Sequence, residues 1–249
     1  MHPIAFLLLP PPHQPIKTCM GLFTKKPTLP PIYAQLAALI PPSPPPVIIE
    51  CGCHVGVDTQ RLRETFPGAR LIAVEPDPRN LAQLSSRGIT SIAEVLPMAV
   101  SDHDGTATFH LSEADLNTEH PSWVKSRDYS GSSSLKRPAE HAVQHPWCVF
   151  EKSVEVPTIT LDTLARERSI DRIDLIWADV QGAEDLLIAG GQAALARTRY
   201  LYTEFSDTEV YKGQIPLAQI LDRLPGGPQA WSIVEKFPYD VLLRNNACA

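Results

Sequence analysis

At 249 residues, with 43% hydrophobic and 20% charged side chains, the chain has the size and composition of one globular domain with a substantial core. Its formal net charge of −6 argues against a sequence-nonspecific nucleic-acid binder, which would carry a basic face. No apolar run approaches the ~20 residues of a membrane span, so the expectation is a soluble, cytoplasmic protein.

Residues 1–46 hold about half of the 25 prolines and read as an extended, polyproline-like N-terminal arm. The apolar Phe6–Leu9 is cut at once by Pro10 and lacks the basic flank of a secretory signal. Met20 is an alternative start. Tyr33–Ile40 is a short helical candidate inside the arm, which could cover a sheet edge, join protomers or stay loose. From Val47 to the C-terminus the pattern alternates strand and helix, the mark of a mostly parallel α/β sheet. Strands are expected at Val47–Cys51, Arg70–Val74, Glu94–Val100 and Thr106–Leu111. Helices are expected near Asp58–Thr65 and from Pro78, an N1-type proline, to Arg87. Residues 112–150 are polar and proline-broken and read as an inserted lid. Strands then return at Ser153–Pro157, Ile173–Val180 and Tyr200–Phe205, with helices at Leu161–Arg168, Ala183–Ala189 and Leu217–Leu224. Trp231–Phe237 and Asp240–Arg244 are joined too tightly for a parallel crossover, so they form an antiparallel hairpin.

The chemistry concentrates where strands end. Glu50-Cys51-Gly52-Cys53-His54-Val55-Gly56 closes strand one, and Glu75-Pro76-Asp77 closes strand two. This is the layout of a nucleotide-type cofactor site at the carboxyl ends of adjacent parallel strands. Gly52 and Gly56 are four apart, unlike the dinucleotide fingerprint, which points to S-adenosylmethionine rather than NAD. The glycines would let the backbone approach a ligand, Glu50 would hold the ammonium of its methionine moiety, and Glu75 would accept both ribose hydroxyls. Asp179 leaves the strand Ile173–Val180 toward the same crevice. Glu184 stands in the first turn of the next helix, where the macrodipole alone favours an acid, and Glu204 ends a further strand on the same rim. The cofactor-binding expectation thus comprises Glu50, Gly52, Cys53, His54, Gly56, Glu75, Pro76, Ser101 and Asp179. Ser132, Ser133, Ser134, Gln181, Glu184 and Glu204 are expected on the acceptor side. His54 reads as a cofactor contact, a proton acceptor or, by preference, a helix-entry residue without chemistry. Five cysteines (Cys19, Cys51, Cys53, Cys148, Cys248) show no zinc-ribbon or C-x-x-C spacing. Pro146 interrupts the His141–His145 pair, so no metal site is expected there; a divalent ion on Asp179, Glu184 or Glu204 is the alternative. Trp177, in a buried strand, reads as core.

ECGCHVG, AVEPDP, GSSSL at 131–135, VPTITLDTL, IDLIWADVQGAE and YLYTEF together resemble the FkbM family of methyltransferases, in order and spacing from Val47 onward. The resemblance implies a Rossmann-like class I methyltransferase fold, a seven-stranded sheet ending in an antiparallel hairpin, and S-adenosylmethionine as cofactor. It also implies methylation of a hydroxyl oxygen, often on sugars or polyketide-type products. Three residues of the first motif differ from the family's usual Asp-x-Gly-Ala-Asn-x-Gly: Glu50, Cys53 and His54 replace Asp, Ala and Asn. Gln181 stands where the family usually carries Glu. The expected reaction is in-line methyl transfer to a sugar hydroxyl of a small molecule or glycan, with Asp179 as general base and His54 or Glu204 as substitutes. NAD-dependent oxidation and a degenerate, non-catalytic scaffold are the rival readings.

Overall fold

The structure, a computed structural model, describes residues 30–248; Phe6–Leu9, Cys19 and Met20 lie outside the described residues. The chain runs α1 (Pro31–Leu39), β1 (Val47–Cys51), α2 (Val57–Thr65), β2 (Arg70–Val74), α3 (Pro78–Ser86), β3 (Glu94–Leu96), β4 (Ala99–Val100) and β5 (Gly105–Ala114). It continues through α4 (His141–Gln144), β6 (Cys148–Ile159), α5 (Leu161–Glu167), β7 (Ile173–Ala178), α6 (Glu184–Ala189) and α7 (Gln192–Ala196). The last elements are β8 (Thr198–Glu204), α8 (Leu217–Arg223), β9 (Trp231–Lys236) and β10 (Asp240–Asn245).

Seven strands form one sheet in the order β3-β2-β1-β7-β8-β10-β9. All its pairs are parallel except those of β10, which inserts antiparallel between β8 and β9. The strand order reverses between β1 and β7, and that is where an open α/β sheet leaves a crevice beyond its carboxyl ends. The period of two along each strand divides the core into two layers. Ile49, Cys51, Ile176 and Ala178 face a layer with Leu161, Leu164, Leu187, Leu195 and Ile220 from α5–α8. Ile48, Leu175 and Trp177 face the opposite layer with Leu62 and Phe66.

α1 completes that second layer. The short helix expected in the proline-rich stretch forms, and it is fully seated: Ile32, Tyr33, Leu36 and Ile40 are buried against Ile48, Leu62 and Trp177. Trp177 is a core residue, stacked between Tyr33 at 5.4 Å and Tyr202 at 4.0 Å between ring centroids.

Two expectations about strand extents change. The run Glu94–Val100 splits at Pro97: β3 joins the main sheet, whereas β4 pairs with β6 in a second sheet of order β4-β6-β5. The strands on either side of the polar insert also run longer than expected. β5 reaches Ala114 and β6 starts at Cys148, paired antiparallel across a register shift between Leu111 and Glu113. The part of the insert outside these strands is therefore the segment between Ala114 and Cys148. β6 keeps one face in solvent for most of its length, so its apolar alternation is too thin to read. Among the described residues no helix is long and apolar enough to cross a membrane, and Cys51, Cys53, Cys148 and Cys248 are free thiols.

Candidate active site

A cleft of about 640 Å³ opens beyond the carboxyl ends of β1, β2 and β7, roofed by the second sheet and the 123–135 segment. Its size falls within the range of small-molecule sites. Of the expected residues, Gly52, Cys53, His54, Glu75, Pro76, Ser133, Asp179 and Gln181 line it. Glu50, Gly56, Ser101, Ser132, Ser134, Glu184 and Glu204 do not.

The loop after β1 is bound to β2 by its own backbone. Gly52 and Cys53 N–H both donate to the Val74 carbonyl (2.9 and 3.1 Å), and Gly56 N–H donates to Cys53. His54 N–H donates to Glu75 at 2.7 Å. These amides are therefore not arranged as a phosphate cradle, and Asp58, in the first turn of α2, adds a carboxylate to the cleft lining that disfavours a phosphate there. The loop suits a nucleoside cofactor without phosphates. Both glycines are also required by the packing of the protein itself. A Cβ on Gly52, at φ +85°, would lie 1.9 Å from the Asp179 carbonyl oxygen, and one on Gly56 would lie 2.4 Å from Ile89.

Glu50 is buried beneath the loop, accepting from the Thr59 hydroxyl at 2.6 Å. Burial pushes its carboxyl up to about 8, offset in part by Thr59. Its observed partner is the start of α2 rather than the cleft. Glu75 faces the cleft but is heavily engaged: Oε1 accepts from Asp77 N–H (2.8 Å) and Asn80 Nδ2 (3.1 Å), and Oε2 accepts from His54 N–H. A carboxylate offers about four acceptor positions, so one remains, on Oε2. Burial raises Glu75 to about 7 against these hydrogen bonds.

His54 occupies the left-handed region at φ 51°, and its ring joins a closed polar circuit. Ser130 Oγ donates to Asn80 Oδ1 at 2.7 Å, so its contact with His54 Nε2 at 2.8 Å makes that nitrogen the donor. With Nε2 protonated, that atom cannot act as the base in this arrangement. Asn80 and Ser130 are site residues the sequence reading missed. Asn80 had a signal, five residues after Glu75 on the same side of the α3 entry; Ser130, like Trp123 and Tyr129 on the roof, had none.

The serine run acts as a latch. Ser133 Oγ accepts from Ser112 N–H at 3.0 Å, Ser134 Oγ donates to the Gln181 carbonyl at 2.7 Å, and Ser132 Oγ meets the Tyr129 hydroxyl at 3.1 Å. Ser134 also pairs with His110 as an isolated bridge. Ser101 is buried, its N–H donating to Ile159. Glu184, which begins α6, is buried and raised to about 7 by that burial.

Asp179, Gln181 and Glu204 come together at the ends of β7 and β8. Gln181 Nε2 donates to Asp179 Oδ1 (2.6 Å) and Glu204 Oε2 (2.8 Å). Burial and the Asp179 charge hold Glu204 well above the usual carboxylate range. Among the described residues no cluster of three or more His, Cys, Asp or Glu has the spacing to hold a metal. His141 and His145 pack edge to face at 5.1 Å, and burial lowers His141 to about 4.

A family model for the Methyltransferase FkbM domain matches residues 50–238. Over 219 residues the chain is 39% identical to 2-O-methyltransferase NoeI of Sinorhizobium fredii (strain NBRC 101917 / NGR234), covering 86% of this chain and 85% of that protein. Among solved structures, methyltransferase FkbM from Methylobacillus flagellatus KT is similar with a TM-score of 0.45 at 14% identity, over 81% of this chain and 43% of that one. The N-terminal domain of EvdMO1, solved in the presence of SAH and D-fucose, follows at 0.42 and 12%, over 86% and 82% of the two chains.

Proposed function

This chain belongs to the FkbM methyltransferase family, and from that membership we propose an S-adenosylmethionine-dependent O-methyltransferase that acts on a sugar hydroxyl. One observation carries the reading: acids at the ends of β2 and β7, Glu75 and Asp179, face a single cleft at the reversal of strand order. The acidic lining suits a cofactor that carries a sulfonium and an ammonium. Glu75 Oε2 would hold a ribose hydroxyl, and Pro76, Met98 and Ala99 would line the base. When bound, the cofactor supplies an electrophilic methyl carbon.

The protein's part is to align the acceptor oxygen and take its proton. Asp179, which lines the cleft, would take that proton. The roof sets the aromatic faces of Trp123 and Tyr129 beside the polar Ser130, a combination suited to a polyhydroxylated ring. The 39% identical relative is an O-methyltransferase by name, in keeping with oxygen as the acceptor atom. Turnover in the presence of a chelator is part of the proposal, as are a glycan or small-molecule acceptor and a cytoplasmic setting.

Calorimetric titration with S-adenosylhomocysteine tests the cofactor half. Micromolar binding is expected, and Glu75→Ala should abolish it. Methyl transfer to a panel of sugars tests the other half. Asp179→Asn should bind the product normally and lose at least about 100-fold in kcat, the usual worth of a general base. A variant that keeps most of its rate would remove Asp179 from that role.

A further inference from the structure

Gln181 departs from the family motif, and its contacts give the amide a purpose. Its backbone is left-handed, at φ 51°. Its side-chain nitrogen has two hydrogens and meets two carboxylates, Asp179 at 2.6 Å and Glu204 at 2.8 Å. Its carbonyl Oε1 accepts from the Tyr211 hydroxyl at 2.8 Å, which holds the NH₂ toward the acids. Its main-chain carbonyl is held in turn by Ser134. Asp179 lines the cleft and Glu204 does not.

We propose that Asp179 and Glu204 form a carboxylate dyad holding one proton, spanned by the Gln181 amide, in which Asp179 takes the acceptor proton while Glu204 stays protonated. The inference rests on the methyltransferase reading above and gives its base a second member. Two carboxylates bridged by one nitrogen repel each other too strongly for both to ionise near neutral pH. The surroundings add to the effect. Asp240 stands opposite Glu204 in the β8–β10 register, Glu184 begins α6, and Asp58 faces across the cleft. The Tyr202 hydroxyl serves Asp240, and Lys136 is engaged by Asp185 at 2.6 Å. Burial and the neighbouring acids raise Asp240 and Glu184 to about 7, so none of them offsets the repulsion.

In the reaction the hydroxyl proton passes to Asp179 as the oxygen bonds to the methyl carbon. The carbon–sulfur bond breaks, and its electron pair leaves on the neutral thioether. The dyad then carries two protons and returns one to water after product release. A Glu at 181 would add a third carboxylate and demand another proton; Gln181 is a positioning residue that keeps the site at one negative charge.

The test is a carboxyl-carbon NMR titration of the protein bound to S-adenosylhomocysteine, with Asp179→Asn identifying the resonance. In the unmodified protein Asp179 should titrate in two coupled steps. Glu204→Gln should remove the upper step and leave a single titration near the lower one, since a protonated Glu204 and a Gln are both neutral. Gln181→Glu, the second variant should Glu204→Gln fail to fold, should move the Asp179 titration up by at least one pH unit. With an active acceptor, the acid limb of kcat/KM should stay in place in Glu204→Gln and move up in Gln181→Glu, about tenfold in rate per pH unit below the limb. An Asp179 titration unchanged by either variant overturns the dyad. A dyad that titrates as described in a protein that methylates no acceptor overturns the methyltransferase reading and leaves the dyad standing.

Discussion

A methyl group on Gly52 would stand 1.9 Å from the carbonyl oxygen of Asp179, on a backbone at φ +85°. Gly52→Ala therefore combines conformational strain with a collision against the backbone of Asp179 at the end of β7. A loss of about 2 kcal/mol or more is expected in denaturant unfolding, together with weaker binding of S-adenosylhomocysteine. Gly56→Ala carries the same left-handed strain at φ +81° but meets the Ile89 and Leu84 side chains rather than backbone, and should leave Asp179 in place. At this scale the residue types were legible in the sequence and several of their partners were not. Glu75, expected at the cofactor ribose, lines the cleft. Glu50 turned under the loop to Thr59, because strand alternation does not say which of two strand-end acids finds a partner in the following helix. His54 acquired its circuit from Ser130, 76 residues away in sequence.

The least expected element is α1. Its prolines and shortness left open whether it covers a sheet edge, joins protomers or stays loose; Tyr33 stacks on Trp177 and its hydroxyl donates to Asp58, a cleft residue on α2. Tyr33→Ala should cost roughly 3–5 kcal/mol, as large-to-small changes in a core do. Tyr33→Phe keeps the ring and should cost about 1–1.5 kcal/mol for the lost hydrogen bond. Urea titration of the two variants separates these contributions, and equal losses would mean that stacking contributes nothing. The Thr160-Leu161-Asp162 motif also resolves at this scale. Thr160 caps α5 by accepting from Thr163 N–H at 3.0 Å, and Asp162 accepts from Ala193 and Ala194 N–H at the start of α7. That part of the family signature builds helix ends.

Over the whole molecule, carboxyls gather around one crevice, and their burial links folding to pH. Glu50 is raised to about 8 and Glu75, Glu184 and Asp240 to about 7. Between the ordinary carboxyl range and these values the folded chain binds more protons than the unfolded one, so this contribution is present at low pH and lost as pH rises through 7–8. Asp102 and Asp104 are shifted the other way by hydrogen bonds from His103 and Thr160, and their contribution disappears in acid. The melting temperature should therefore fall between pH 6 and pH 8.5. Glu50→Gln keeps the Thr59 bond and should flatten that slope, since every tenfold gain in proton affinity on folding is worth about 1.4 kcal/mol. Parallel melting curves for the two proteins would show that Glu50 is not a buried carboxyl.

The α/β class, the strand ends that carry acids and the family follow from local pattern, since apolar periodicity and strand-to-helix turns are written in neighbouring residues. The antiparallel hairpin was equally legible, because a two-residue link permits nothing else. Which acid meets which partner was decided only by the tertiary structure. The seating of α1 on Trp177, the serine latch on Gln181 and the Gln181 bridge to Glu204 join segments from 23 to more than a hundred residues apart. Such pairings depend on packing between layers, and a side chain's protonation depends on the burial and charges that packing brings to it.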